Sequence, residues 1–358
     1  MPAIIVDPFN AFATPPQKGD DSIQMERLVC PHCHSSDVKI HHVYQTQNNG
    51  ERPLYQCCKC DEYFSETYGS PIAGLKTPIS EVARVLKART EGIGVNAAVR
   101  VFGYAKNTIS SWEKRLARLQ QTLFLYSLVY EFLQLIFEGD ELYTKVEKNK
   151  EPHESEGWTI VVMERASRYI SILECGLKQQ RLFMSAVETI VCFFDRSEAV
   201  ALFTDGERRY SQLLFDICHE VFRSGTVGRP KKVIKKNCVV RLKNKSSKRR
   251  DSEGKLKKVE APKPDHPDTT MTVEEKEVHA NHVEAFNSSI RRRLSAFRRR
   301  TNTYAKGQPH LQRVLDILWI THNFVNPHFT TGKVPAVAIG ILKRGLSLEE
   351  ILQLRHIL

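Results

Sequence analysis

The sequence predicts a chain of several domains: a small cysteine-rich ribbon, an all-α helix-turn-helix, and a larger α/β domain. Three observations carry this. Cys30-Pro-His-Cys33 and Cys57-Cys-Lys-Cys60 form paired knuckles. Gly94 to Arg115 reads as two short helices joined at Gly103. Beyond Leu133, apolar runs of strand length alternate with helical patterns in the order strand, strand, strand, helix, strand, helix. At 358 residues the chain is also too long for one small domain. The expected layout is a tail over 1–28, the ribbon over 29–70, the helix-turn-helix over 77–118 and a helical linker over 119–132. The α/β domain then covers 133–330, with a basic insertion at about 225–270, and a helical segment closes the chain over 331–358.

Composition is 41% hydrophobic and 26% charged, which is ordinary for a folded soluble protein. The formal net charge of +12 is concentrated: residues 229–258 hold fourteen Lys or Arg and two acids, a net of +12 that equals the whole excess. A concentrated excess points to a polyanion partner rather than to solubility. Met1 to Asn10 lacks a basic region ahead of a long apolar core, so no secretory signal is expected. The most apolar run, Leu123–Phe137, is interrupted by Glu131 and is too short for a bilayer, so no membrane partner is expected. The expected compartment is the cytoplasm, where nine cysteines are not read as disulfides.

The ribbon comes first in the chain. Cys30, Cys33, Cys57 and Cys60 have the pairing that closes a tetrahedral Zn2+ site, and the turn Asn48-Asn49-Gly50 sits between two β-rich segments in the intervening twenty-three residues. Cys58 lies between two proposed ligands and is ambiguous; His32, His34, His41 and His42 are possible substitutes, though each alone reads as a surface histidine. Cys175, Cys192, Cys218 and Cys238 lack partners and read as apolar packing residues. A Pro/Gly linker, Gly69 to Pro78, leads to helices at Ile79–Thr90, Gly94–Gly103 and Lys106–Arg115. In a helix-turn-helix the last of these enters a major groove, placing Lys106, Asn107, Thr108 and Ser111 near bases or phosphates; the plainer alternative is a helical hairpin. The helix is expected to continue from Trp112 to about Tyr126 on Leu116, Leu119 and Leu123.

In the α/β domain, Leu133–Val146 carries Asp140, Thr159–Met163 and Tyr169–Cys175 form a hairpin, and a helix over Arg181–Phe194 leads into the strand Ala199–Phe203, with Asp205 at its end. That element order is the order of a ribonuclease H-like core. Later, His279 to Gly307 puts Val283, Phe286, Ile290, Leu294 and Phe297 on one helical stripe. Glu284, Asn287, Arg291 and Arg298 project along its edge. Alone, that edge reads as a solvated row of ion pairs, and Asp205 as an Asp-Gly turn. Together, two strand carboxylates and a later helix glutamate suit divalent metal ions for phosphoryl transfer.

The motifs GDELYTKV around Asp140, TDGERRY around Asp205 and VEAFNSSIRRRLSAFRRRTNTYAKG around Glu284 resemble the DDE transposases of insertion sequences, most of all the insertion-sequence-one type. CPHC…CCKC followed by YFSETYGSP, the GIGVNAAVRVFGYAKNTISSW helices and the tail from NFVNPHF to KVPAVAIGIL agree in order, over about residues 28 to 345. The resemblance implies Asp140, Asp205 and Glu284 as catalytic ligands of Mg2+ (or Mn2+). It also implies double-stranded DNA, as element ends and target, as the partner, a homodimer or higher homo-oligomer on that DNA, and a nucleoid location. Asn287, Arg291 and Arg298 would then position a strand beside the metals. Many members of the family need a frameshift to join the two halves, whereas here both lie in one frame.

Two further basic features accompany these. Gly228-Arg229-Pro-Lys231-Lys232 resembles a minor-groove hook, with a charged turn as the alternative. Lys243–Asp268 reads as a flexible insertion contacting DNA backbone. Ser347 to Glu350 forms a capping box opening a last helix, expected to pack on the core or a partner. The alternative function is a DNA-binding regulator with a catalytically silent core; a third is a nucleic-acid-binding protein without sequence preference.

Overall fold

The computed structural model describes residues 29–147, 150–204, 207–223, 230–234, 238–242, 247–250, 255–259, 279–298 and 303–356. The chain is mixed α/β and divides into two units, Met1–Tyr126 with Leu346–Leu358, and Ser127–Gly345.

In the first unit, β1 (Val38–Gln45), β2 (Glu51–Cys57) and β3 (Tyr63–Ser65) form an antiparallel sheet. The β1–β2 turn closes on Gly50, whose φ of +73° favours glycine. Asn49 in that turn also serves the next element. Its Oδ1 accepts from the Ile79 N–H at 3.0 Å and its Nδ2 donates to the Thr77 carbonyl, so the ribbon supplies the cap that Pro78 lacks for α1 (Ile79–Thr90). Next comes α2 (Val95–Phe102), ended by Gly103 in the left-handed region, and then α3 (Lys106–Ala117). The continuous helix expected to Tyr126 is instead interrupted at Arg118, and α4 (Leu119–Ser127) follows. Glu113 on α3, 1% exposed, takes the Arg89 Nε of α1 at 2.7 Å. This buried pair fixes one helix against the other, since either charge left alone would be strongly destabilising.

The last residues also belong here. The capping box at Ser347 and Glu350 is present and opens α10 (Leu348–Gln353), which packs on α1. The His356 N–H donates to the Gly69 carbonyl at 2.9 Å, and Arg355 donates to the Glu66 carbonyl with its guanidinium over Phe64. The segment expected over 331–358 is therefore divided, with 331–345 in the second unit and 346–358 in the first.

The second unit is built on a five-stranded sheet. β4 (Phe132–Tyr143), β5 (Trp158–Glu164) and β6 (Ile170–Gly176) are antiparallel neighbours. After α5 (Gln180–Phe194), β7 (Ser197–Thr204) lies parallel to β4. Then α6 (Arg208–Cys218) and a ribbon of β8 (His219–Phe222) and β9 (Lys231–Ile234) precede β10 (Cys238–Leu242), parallel to β7. The sheet order is β10-β7-β4-β5-β6. The region expected to be a basic insertion thus contains a strand of the main sheet. The stretch expected to be flexible contains an antiparallel pair, β11 (Ser247–Arg250) and β12 (Leu256–Val259). Phe132 and Phe137 of β4 pack on Phe193 of α5. The other face of β4 receives α7 (Asn281–Arg293). Beyond it, α8 (Gln308–Ile320), a π turn over Thr321–Val325 and the short α9 (Pro335–Ala338) complete the unit. Gln308 and Gln312 of α8 and Asn323 of the π turn hydrogen-bond the backbone of Ile170, Leu173 and Cys175, covering the β6 edge. Among the described residues no helix is long and apolar enough to cross a membrane.

The return of the C-terminus yields a test. Deleting residues 346–358 should raise amide exchange in α1 and at Glu66 to Gly69, while β4 and β5 keep their protection. Hydrogen exchange read by mass spectrometry checks this, and equal loosening of both units would contradict it.

Candidate functional site

In the ribbon the four cysteines converge. The Sγ atoms of Cys30 and Cys60 are 3.6 Å apart and those of Cys33 and Cys57 are 3.5 Å apart, with ligand atoms of all four within 4.8 Å of one another. This is close enough to hold one metal ion, and four thiolates suit Zn2+. Burial opposes ionisation of Cys57, yet hydrogen bonds from the Cys60 and Lys59 N–H groups and from the Cys33 and Cys60 thiols lower its pKa to about 7. Cys58 is exposed and stands outside the group, as do His32, His34, His41 and His42. Cys175 and Cys218 are buried as packing residues, whereas Cys192 is exposed on α5. Cys238 lies on β10, its side chain outside the described set.

The second site lies where α7 meets β4. Successive side chains of a strand point to opposite faces, so Glu138 and Asp140 share the face that α7 covers. Glu138 is fully buried, and one oxygen takes the backbone N–H groups of His282 at 2.8 Å and Val283 at 3.2 Å, in the first turn of α7. The other takes Arg165 Nε at 2.7 Å and pairs with His282 Nδ1 at 2.8 Å. Arg165 also donates to the His279 carbonyl and lies 4.7 Å over the Phe203 ring. Burial works to raise the Glu138 carboxyl, but the hydrogen bonds from His282 and Val283, the His282 charge and Arg165 outweigh it and hold the pKa below the ordinary 4.5. The carboxylate caps the helix and complements its dipole.

Asp140 is half-buried. Its Oδ1 accepts the Glu141 N–H, and its Oδ2 accepts from Asn287 Nδ2 at 2.8 Å. Asn287, read from the sequence as an edge residue facing DNA, is 2% exposed and packed against the strand. Glu284 is half-buried in the first turn of α7, three residues before Asn287 and therefore on a neighbouring part of the same helix surface. Asp205 lies outside the described residues, but Thr204, which precedes it, pairs with Gly139, which precedes Asp140. Arg291 is half-buried in the last turn of α7. Arg298 does not extend the helix edge: α7 stops at Arg293, Leu294 turns extended, and Arg298 follows a 3-10 turn, exposed. Phe297 is buried all the same.

Lys106, Asn107 and Ser111 are exposed and Thr108 is half-buried on the first turns of α3. Lys232 is exposed on β9; Lys231 is on the same strand, its side chain outside the described set, and Arg229 lies outside it altogether. Glu141, next to Asp140, packs on the opposite face of β4. There Lys178 Nζ lies 3.1 Å from Glu141 and 3.8 Å from Glu207, and Glu207 grips Arg209 with both oxygens. Burial raises the Glu141 carboxyl, with Lys178 opposing.

The ligand atoms of Glu138, His279 and His282 also lie within 4.8 Å of one another, a spacing compatible with a metal ion. With Arg165 on one oxygen and two helix N–H groups on the other, we read this group as a hydrogen-bonded anchor. Local sequence pattern does not single out Glu138, Arg165 or His282, nor give His279 a role. The available signal was the even spacing of Glu138 and Asp140 along a strand. The chain matches no model of a known protein family and no curated protein sequence.

Two outcomes are expected. Purified protein should carry one Zn2+ per chain in elemental analysis, and Cys33→Ser should lower that content and unfold the ribbon, because such sites supply folding free energy directly; full zinc in the variant would contradict the site. Glu138→Ala should destabilise the second unit by about 3–5 kcal/mol, since it leaves Arg165 uncompensated and α7 uncapped. Because the folded pKa lies below 4.5, the contribution is in place above that pH and fades as pH falls through the folded value. Urea unfolding should therefore show a wide gap between wild type and variant at neutral pH and a narrower one in acid. An equal gap at both would contradict the ionised anchor.

Proposed function

We propose that the chain is a DDE transposase of the insertion-sequence-one type, which binds the ends of its element, cleaves DNA strands and joins 3′-hydroxyl ends to target DNA. The observation that carries this reading is the junction of β4, β7 and α7. The register sets the residues before Asp140 and Asp205 side by side, and Asn287 ties Asp140 to the helix bearing Glu284. Three antiparallel strands, a helix, a parallel strand, a helix and a further parallel strand, in the order β10-β7-β4-β5-β6, suit a ribonuclease H-like core.

The donor set fits a hard divalent cation. Asp140, Asp205 and Glu284 offer only oxygen ligands, and Asp140 is oriented by an amide. These residues would hold Mg2+ or Mn2+, which supplies charge stabilisation for in-line displacement at phosphorus. Asn287 holds Asp140 in place, and Glu138 fixes the start of α7 so that Glu284 stays beside the strand. Lys232, the β11–β12 pair and the exposed start of α3 would take phosphates and bases. No covalent protein–DNA intermediate is needed. The active assembly would be a homodimer or larger on DNA, in the nucleoid.

The test uses DNA flanking the chain's own coding sequence, which would contain the element's ends. Metal-dependent cleavage and joining are expected. Asp140→Asn, Asp205→Asn and Glu284→Gln should each lower the rate by at least about 10³, about 4 kcal/mol of barrier, with end binding within a few-fold. Binding without cleavage by the wild type would support the regulator instead. Normal cutting by Glu284→Gln would remove α7 from the chemistry.

A further inference from the structure

We infer that Asn287 is itself a ligand of the divalent cation at Asp140, through its side-chain oxygen. This rests on the preceding reading of the carboxylate site and adds a neutral member to it. Asn287 is 2% exposed, so each end of its amide needs a polar or ionic partner. The nitrogen has one, Asp140 Oδ2 at 2.8 Å. An ionised carboxylate only accepts, so the amide cannot be turned over without setting oxygen against oxygen. The buried Oδ1 has no hydrogen-bond partner among the described residues. Native proteins seldom leave a buried carbonyl in that state, and an ion is one of the few groups that satisfies it. Oδ1 shares its carbon with the nitrogen that touches Asp140, so it lies next to that carboxylate. Glu284 leaves the same helix three residues earlier. Carboxylates mixed with an amide carbonyl and water form the usual surroundings of Mg2+ and Mn2+. One side chain would thus orient Asp140 through its N–H and share the cation through its oxygen.

Two substitutions separate a ligand from a mere orienting group. Asn287→Leu removes both the oxygen and the hydrogen bond to Asp140. Asn287→Asp keeps an oxygen, adds charge and loses only the hydrogen bond. The full-length protein, with its ribbon loaded with zinc, is titrated with Mn2+ in the absence of DNA, and free Mn2+ is read by electron paramagnetic resonance. Asn287→Leu should weaken Mn2+ binding at least about tenfold, and Asn287→Asp should bind at least as tightly as wild type. Melting with and without Mn2+ reports folding, and Asn287→Asp should gain more from the ion than wild type does. Equal weakening in both variants would overturn the inference in favour of orientation alone, and so would wild-type affinity in Asn287→Leu. In either case, loss of binding in Asp140→Asn would leave the carboxylate site standing. If wild type binds no Mn2+, or Asp140→Asn binds it unchanged, the reading of the carboxylate site fails as well.

Discussion

A single buried carboxylate joins the parts of the second unit that matter most. Glu138 sits within the central strand, yet its oxygens are spent on the start of a helix 144 residues away in sequence. Burying that charge is costly unless its lone pairs are met, and the four groups that meet it come from three residues. His282 contributes its ring and its N–H, Val283 an N–H, and Arg165 its guanidinium from the turn after β5. The cost of leaving any of them unmet makes the docking of α7 selective rather than merely adhesive. A helix held only by its apolar stripe of Val283, Phe286 and Ile290 could slide along the sheet; one capped by a strand residue cannot.

The two faces of β4 carry two polar systems with different tasks. On one side, Glu138 and Asp140 engage α7. On the other, Glu141 joins Lys178, Glu207 and Arg209, a network that ties the start of α6 to the segment after β6, since Arg209 also donates to the Lys178 carbonyl. Alternation along a strand keeps these apart although Asp140 and Glu141 are consecutive. Lys178 and Arg209 further rest on the rings of Trp158 and Phe183. The strand thereby holds three acids within four residues by giving each its own partners, although Asp140 still contributes to raising the Glu141 carboxyl.

Local signals were legible in the sequence. α1 spans the residues its pattern marks, Gly103 ends α2, the capping box opens the last helix, and the paired cysteines meet. Each depends on neighbours within a few positions. What escaped depends on distance or on averaging. The importance of Glu138 requires knowing that α7 docks on β4, which no local window contains. Asn287 was placed on a wet edge because polar type and helical angle suggest solvent; the observed burial follows from a hydrogen bond across the sheet. The end of α7 was missed because Leu294 and Phe297 keep helical spacing while the backbone between them turns extended and then 3-10. Strand β10, a short apolar Cys-Val-Val-Arg-Leu, was hidden inside a stretch whose charge dominates any average.

The division of the chain also sets an order of assembly. The first unit begins with the ribbon but is finished by α10, Arg355 and His356, which a ribosome delivers only after every strand and helix of the second unit. A product stopped by a premature codon or a shifted frame would therefore release the ribbon and helices α1 to α4 with their packing partner missing. Completion of the N-terminal unit thus waits on residues that follow the whole of the second unit in the chain.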